Sequence, residues 1–206
     1  MWRTSTLNFE EKLRFEGIVS MSVAYSGMLR NFKEGSKEKI CTQILTKTAE
    51  SLFNITSEQE FADGHSEFCL WGTGNILLAE RWRNEKLIKR ESPASYGQIA
   101  KTLDMALKVA VYYCQLPDTE QSAILCKWMH APIDTNMMRQ LQQKYPGEIK
   151  PWPVKLEDVQ KDDYLKIQAL VHRDIMESHR GLITPVQYDD VHWRKANELY
   201  KQGAHP

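Results

Sequence analysis

Ser95-Tyr-Gly-Gln-Ile-Ala-Lys-Thr-Leu-Asp-Met-Ala-Leu-Lys-Val-Ala-Val-Tyr-Tyr-Cys114 is the stretch on which the reading of this chain turns. Ser95 followed by Gln98 is a capping box, in which each side chain satisfies a backbone N–H that a helix start leaves open. Ile99, Leu103, Ala106, Leu107, Ala110, Val111 and Cys114 then recur at helical spacing. Leu116-Pro117-Asp118 ends the run. The segment therefore reads as a long amphipathic helix, apolar enough on its flanks to stand near the middle of a bundle.

Outward from it the same periodicity continues. Phe9 to Phe32 reads as a helix weakened at Gly17 and Gly27. Ser36 opens a second, carrying Ile40, Ile44, Leu45, Ala49 and Leu52. Ser57 with Glu60 is another capping box, ahead of Phe61, His65, Phe68 and Cys69. Ile76 to Trp82 reads as a further helix or a continuation, and Arg83 to Ala94 as a polar loop. Downstream, Thr119 to Cys126, Thr135 to Tyr145 and Asp163 to His179 are helical, and a last helix follows Tyr188 and ends near Gly203. No segment alternates as a strand. The expectation is an all-α chain: an irregular bundle of eight or nine helices around one core, a single domain over 1–206, with 83–94 the place where it would subdivide.

Composition narrows the function classes. The chain has 206 residues, 42% hydrophobic and 26% charged, which suits a globular protein. Lys plus Arg number 27 and Asp plus Glu number 27, so there is no overall basic surplus to hold a phosphate backbone. A local one exists in Arg81-Trp-Arg-Asn-Glu-Lys-Leu-Ile-Lys-Arg90, where Arg81, Arg83 and Arg90 could contact a nucleic acid and Trp82 could stack on a base. No apolar run reaches the roughly 20 residues of a membrane span. The N-terminal segment carries acids and lacks a signal-peptide core, so a cytoplasmic location with no membrane partner is expected. Cys41, Cys69, Cys114 and Cys126 are widely spaced among apolar neighbours and read as buried free thiols. No spacing makes a metal site. His65, on an apolar helix face, reads as a hydrogen-bonded core residue, and His192 beside Asp189 and Asp190 lacks ligand spacing. No metal and no cofactor are expected.

The chemistry-bearing residues gather in the helix after Ser95 and in His130-Ala-Pro-Ile-Asp134. Asp104 lies three residues after Lys101 and four before Lys108, so it can pair with either on one helix face. One reading is a solvated stripe of ion pairs. The other starts from burial, which removes hydration from an ammonium and lowers a lysine pKa until the amine is a nucleophile. The helix start at Tyr96-Gly97, with free backbone N–H groups, would favour a phosphate. Asp134 reads as an N-cap, which is the commoner role; its fixed carboxylate could also stabilise a developing positive charge.

Ala100-Lys-Thr-Leu-Asp-Met-Ala-Leu-Lys108 and Pro132-Ile-Asp-Thr-Asn-Met-Met-Arg139 resemble the helix-hairpin-helix DNA glycosylase superfamily, nearest its archaeal 8-oxoguanine glycosylase branch. The resemblance covers roughly a quarter of the chain, and Tyr96-Gly-Gln-Ile-Ala100, with one glycine, stands where the superfamily has its hairpin glycines. It implies an all-α glycosylase/lyase that needs no metal and acts on a damaged DNA base, with Lys101 as nucleophile and Asp134 as its electrostatic partner. Lys108, His130, Gln98 and Asp104 would support the site, and Tyr96, Gly97, Arg81, Arg83 and Arg90 would meet the DNA. Gln98, Lys101, Met105, Lys108, His130, Pro132 and Asp134 also fit a pattern that resembles a group of uncharacterised bacterial and phage proteins. That second resemblance implies no activity. It leaves open a non-enzymatic helical protein, with a protein partner and a structural Lys–Asp–His network.

Overall fold

The structure is a computed structural model that describes residues 9–48 and 55–192. Within them the chain is helical in the main. Helix α1 is Phe9–Tyr25, α2 is Ser36–Gln43, α3 is Glu58–Asn75, α4 is Tyr96–Leu107, α5 is Thr119–Trp128, α6 is Thr135–Lys144, α7 is Lys161–His179 and α8 covers 185–192. The all-α irregular bundle expected from periodicity is what forms. Ala49, Leu52 and the end of the last helix lie outside the described residues.

The caps form where the polar residues announce them. Ser95 accepts from the Gln98 N–H while Gln98 Oε1 accepts from the Ser95 N–H. Ser57, Asp118 and Asp134 each accept from the backbone N–H three residues on. The first helix is shorter than its periodicity suggests. Gly27 takes a left-handed φ of 71°, which ends α1 before a short 3-10 turn at Met28–Asn31.

The segment between α3 and α4 corrects the sequence reading. Ile76 to Trp82 is not helical, and 83–94 is not wholly loop. Ile76 turns into extended backbone after Asn75. Leu77–Leu78 (β1) then pairs antiparallel with Ser92–Pro93 (β4), and Arg81–Arg83 (β2) with Lys86–Lys89 (β3). Asn84 and Glu85 both sit at positive φ, the geometry of a two-residue hairpin turn. Glutamate is an unusual occupant of the second position, so the Asn-Gly signature that would have announced this hairpin is missing. The apolar residues of 76–82 satisfy strand and helix templates equally over so short a run, and pairing decided between them.

Helix α4 lies in the middle of the bundle. Its residues Ile99, Ala100, Thr102, Leu103, Asp104, Ala106 and Leu107 are buried, so it is covered nearly all round by α1, α3 and α7. Glycine makes this possible where backbones come close. A Cβ on Gly72 of α3 would stand 2.4 Å from Ile99, and one on Gly97 would stand 2.6 Å from the Val159 side chain and 2.9 Å from the Leu156 carbonyl oxygen. The helical path then widens into a π-turn at Lys108–Tyr113, next to the region where chemistry was expected.

Candidate functional site

Lys101 and Asp104 of α4 and Lys108 at the turn that follows it find separate surroundings, so a Lys101–Asp104–Lys108 stripe of ion pairs does not form. Asp104 is 1% exposed and turns into the core. There its Oδ1 accepts from His65 Nε2 at 2.9 Å and its Oδ2 accepts from the Tyr164 hydroxyl at 2.8 Å. Lys108 turns the other way. Its ammonium reaches Asp189 Oδ1 at 2.5 Å and Asp190 Oδ1 at 2.7 Å, and lies 5.6 Å over the Tyr113 ring. Burial pushes Lys108 down, but the two carboxylates outweigh it and hold its pKa above the ordinary lysine value. Lys108 is therefore a fixed cation.

Lys101 is the exception. It is half-buried, and among the described residues it makes no ion pair within 4 Å. Burial lowers its pKa below the usual 10.5, only partly reversed by the charges of Asp134 and Asp189. The charge of Asp134 thus acts on Lys101 without a salt bridge between them. Asp134 caps α6, its Oδ1 accepting from the Met137 N–H at 2.8 Å, and it is half-buried. An ammonium with little water and no bonded counter-ion is the form of lysine from which a proton is most easily lost.

The helix start that was to greet a phosphate is closed. The Gly97 N–H donates to Val159 O at 3.0 Å, Tyr96 is buried, and Leu156 and Val159 fill the space in front. The expectation of free N–H groups at Tyr96-Gly97 is corrected at Gly97: a loop far downstream in sequence takes its donor. Gln98 serves as the cap of α4, its side chain holding the Ser95 N–H. Arg81, Arg83 and Arg90 are exposed with Trp82 on or beside the hairpin, so they are free to meet a partner.

His65 and Tyr164 were not in the expected site, although His65 was read as a bonded core histidine. Tyr164 links the groups: its oxygen lies 3.0 Å from His130 Nδ1 and 3.4 Å from His65 Nε2. With the phenol donating to Asp104, His130 Nδ1–H donates to the phenol oxygen, and each proton has one acceptor. Burial pushes His65 down, but the Cys69 thiol and the Asp104 carboxylate outweigh it and bring its pKa up to about 10. Burial raises Asp104 and keeps His130 well below the usual histidine value. Residues 65, 104, 130 and 164 are spread along the chain, and no local pattern could have grouped them.

A second polar knot joins α6, α7 and α8. Asp174 accepts from Lys144, from the Tyr188 hydroxyl at 2.5 Å and from Ser178 at 2.8 Å. Burial alone would raise Asp174, but these donors hold it at about 2. The folded value lies below the unfolded one. The stability this group supplies is therefore present above about pH 4 and is lost as pH falls through about 2. Asp174→Asn is expected to lower urea stability by about 2 kcal/mol near neutrality, and the difference should vanish near pH 2. An undiminished difference in acid would mean that Asp174 is not the titrating group.

No helix among the described residues is long and apolar enough to cross a membrane. Compared with protein-family models, with curated proteins and with solved structures, the chain finds no match.

Proposed function

We propose that the chain is a base-excision lyase that attacks a damaged nucleotide through Lys101. The observation that carries this reading is the contrast between Lys101 of α4 and Lys108, which follows its end. Lys108 is neutralised by two carboxylates, whereas Lys101 is half-buried, depressed in pKa and without an ion pair among the described residues. In the proposed reaction Lys101 loses its proton and its Nζ lone pair attacks C1′ of the sugar. The C1′–N bond breaks, and the base leaves with its electron pair and takes up a proton. Asp134 stabilises the positive charge that develops on the sugar. Ring opening then gives the iminium, and loss of a 2′ proton expels the 3′ phosphate. The exposed basic hairpin, with Arg81, Arg83 and Trp82, suits the backbone and a displaced base.

Borohydride trapping on oligonucleotides carrying 8-oxoguanine, uracil or an abasic site tests the reading. The wild type is expected to form a covalent adduct, and Lys101→Gln to lose it. Trapping by the wild type should rise with pH as the depressed amine deprotonates. Full strand cleavage by Lys101→Gln would overturn the assignment. The closed hydrogen bonding of Asp104 and Lys108 favours a second reading, a non-enzymatic helical protein whose buried polar groups set helix register. Absence of any adduct with folded wild-type protein would favour it.

A further inference from the structure

Four side chains from four separate elements bring ligand-type atoms to one point in the core. His65 comes from α3, Asp104 from α4, His130 from the segment after α5, and Tyr164 from α7. The ligand atoms of His65, Asp104 and His130 all lie within 4.8 Å of one another. The Tyr164 oxygen stands 2.8 Å from Asp104 Oδ2, 3.0 Å from His130 Nδ1 and 3.4 Å from His65 Nε2. His65 Nε2 stands 2.9 Å from Asp104 Oδ1. Ligands at about 2.0–2.1 Å around a tetrahedral ion stand roughly 3.3 Å apart, so these separations need only small expansions to admit one.

From this convergence we propose that His65, Asp104 and His130, with Tyr164 at the fourth corner, hold a divalent transition-metal ion, Zn2+ fitting best. Two imidazole nitrogens and a carboxylate oxygen are a borderline donor set that suits zinc over magnesium or calcium. A hydrogen-bonded pair of Asp104 with His65 and Tyr164 would already be satisfied. The second imidazole, its Nδ1 3.0 Å from the Tyr164 oxygen and its ring centroid 4.5 Å from that of His65, brings a further nitrogen donor to the same point and completes a ligand set. The other side of the His65 ring also has a partner, with Nδ1 lying 3.7 Å from Cys69 Sγ, as an orienting contact behind a ligand would. His65, Asp104 and Tyr164 are almost entirely buried, and four protein donors close the coordination sphere. Such a site is structural: it ties α3, α4 and α7 to the segment that leads to Asp134. The ligands are scattered from position 65 to position 164, so no sequence spacing advertises the site.

The proposal does not rest on Lys101, and metal content is its first test. Purified wild-type protein would be stripped with chelator, returned to buffer and titrated with Zn2+ and with Co2+. The expected result is one tightly held ion per chain, a rise in melting temperature on adding Zn2+, and the intense visible bands of tetrahedral Co2+. His130→Gln, at the least buried ligand, should lose the ion and the bands. Tyr164→Phe should keep folding contacts but change the Co2+ spectrum. Lys101→Gln should bind as wild type does, which separates this proposal from the catalytic one. His179→Gln should bind likewise; it lies in the other cluster of ligand-type residues, Asp174, His179 and His192. Folded, stripped wild-type protein that takes up neither ion would overturn the proposal and leave the four groups as a hydrogen-bonded network. So would an ion retained by His130→Gln with unchanged Co2+ bands.

Discussion

Asp104→Ala is expected to destabilise the metal-stripped protein by about 3–5 kcal/mol, the scale for removing one partner of a buried charged network. The carboxylate is the common acceptor for His65 and Tyr164 in a place that water does not reach. Without it, two donors lose their partner and the charged His65 loses its counter-ion. Asp104→Asn keeps one acceptor oxygen and the shape, and should cost markedly less. Because His65 is raised to about 10 in the folded chain, its contribution is complete below the unfolded value near 6.5 and falls away as pH rises through about 10. Urea midpoints of the wild type and both variants, from neutral to alkaline pH, read all of this. A loss under about 1 kcal/mol for Asp104→Ala would place the group in solvent-like surroundings and contradict its burial.

Gly97→Ala is expected to cost about 1–3 kcal/mol or more, from a single added methyl group. That methyl would stand 2.6 Å from Val159 Cβ and 2.9 Å from the Leu156 carbonyl. The carbonyl is backbone, and Val159 is tied to Gly97 by the N–H that donates to its oxygen at 3.0 Å. Neither neighbour can yield by rotating a flexible side chain, so the loop carrying Leu156 must move away from α4. The same shift would strain the bond from Ser95 Oγ to Leu156 O. Gly64 of α3, where an added Cβ meets nothing within 4 Å, is the control, and Gly64→Ala should be neutral or stabilising because alanine favours a helix. Thermal melts of the two variants would show the contrast, and equal melting temperatures would contradict the close approach at Gly97.

Helix existence was legible because local interactions dictate it. The capping pair Ser95 and Gln98, the caps Ser57 and Asp134, and the 3.6-residue spacing of Ile99, Leu103 and Leu107 all act within one or two turns. The hairpin at Arg81–Lys89 was not legible. Most of it reads as polar loop by composition, and its turn residues, Asn84 and Glu85, lack the usual glycine. The site was legible only in part. Asp134 acts on Lys101 through its charge alone, whereas the spacing of Asp104 suggested lysine partners and the fold gave it His65 and Tyr164.

By itself the sequence determined the helical class, most helix boundaries and the caps, because these depend on contacts a few residues apart. Tertiary structure alone decided that Asp104 is buried too, that the Gly97 N–H is taken by Val159, and that Lys108 is neutralised by Asp189 and Asp190 while Lys101 is not. It also decided that His65, Asp104, His130 and Tyr164 meet. These outcomes depend on which elements pack together, and the energy that selects them comes from contacts between residues tens of positions apart, which no local pattern encodes.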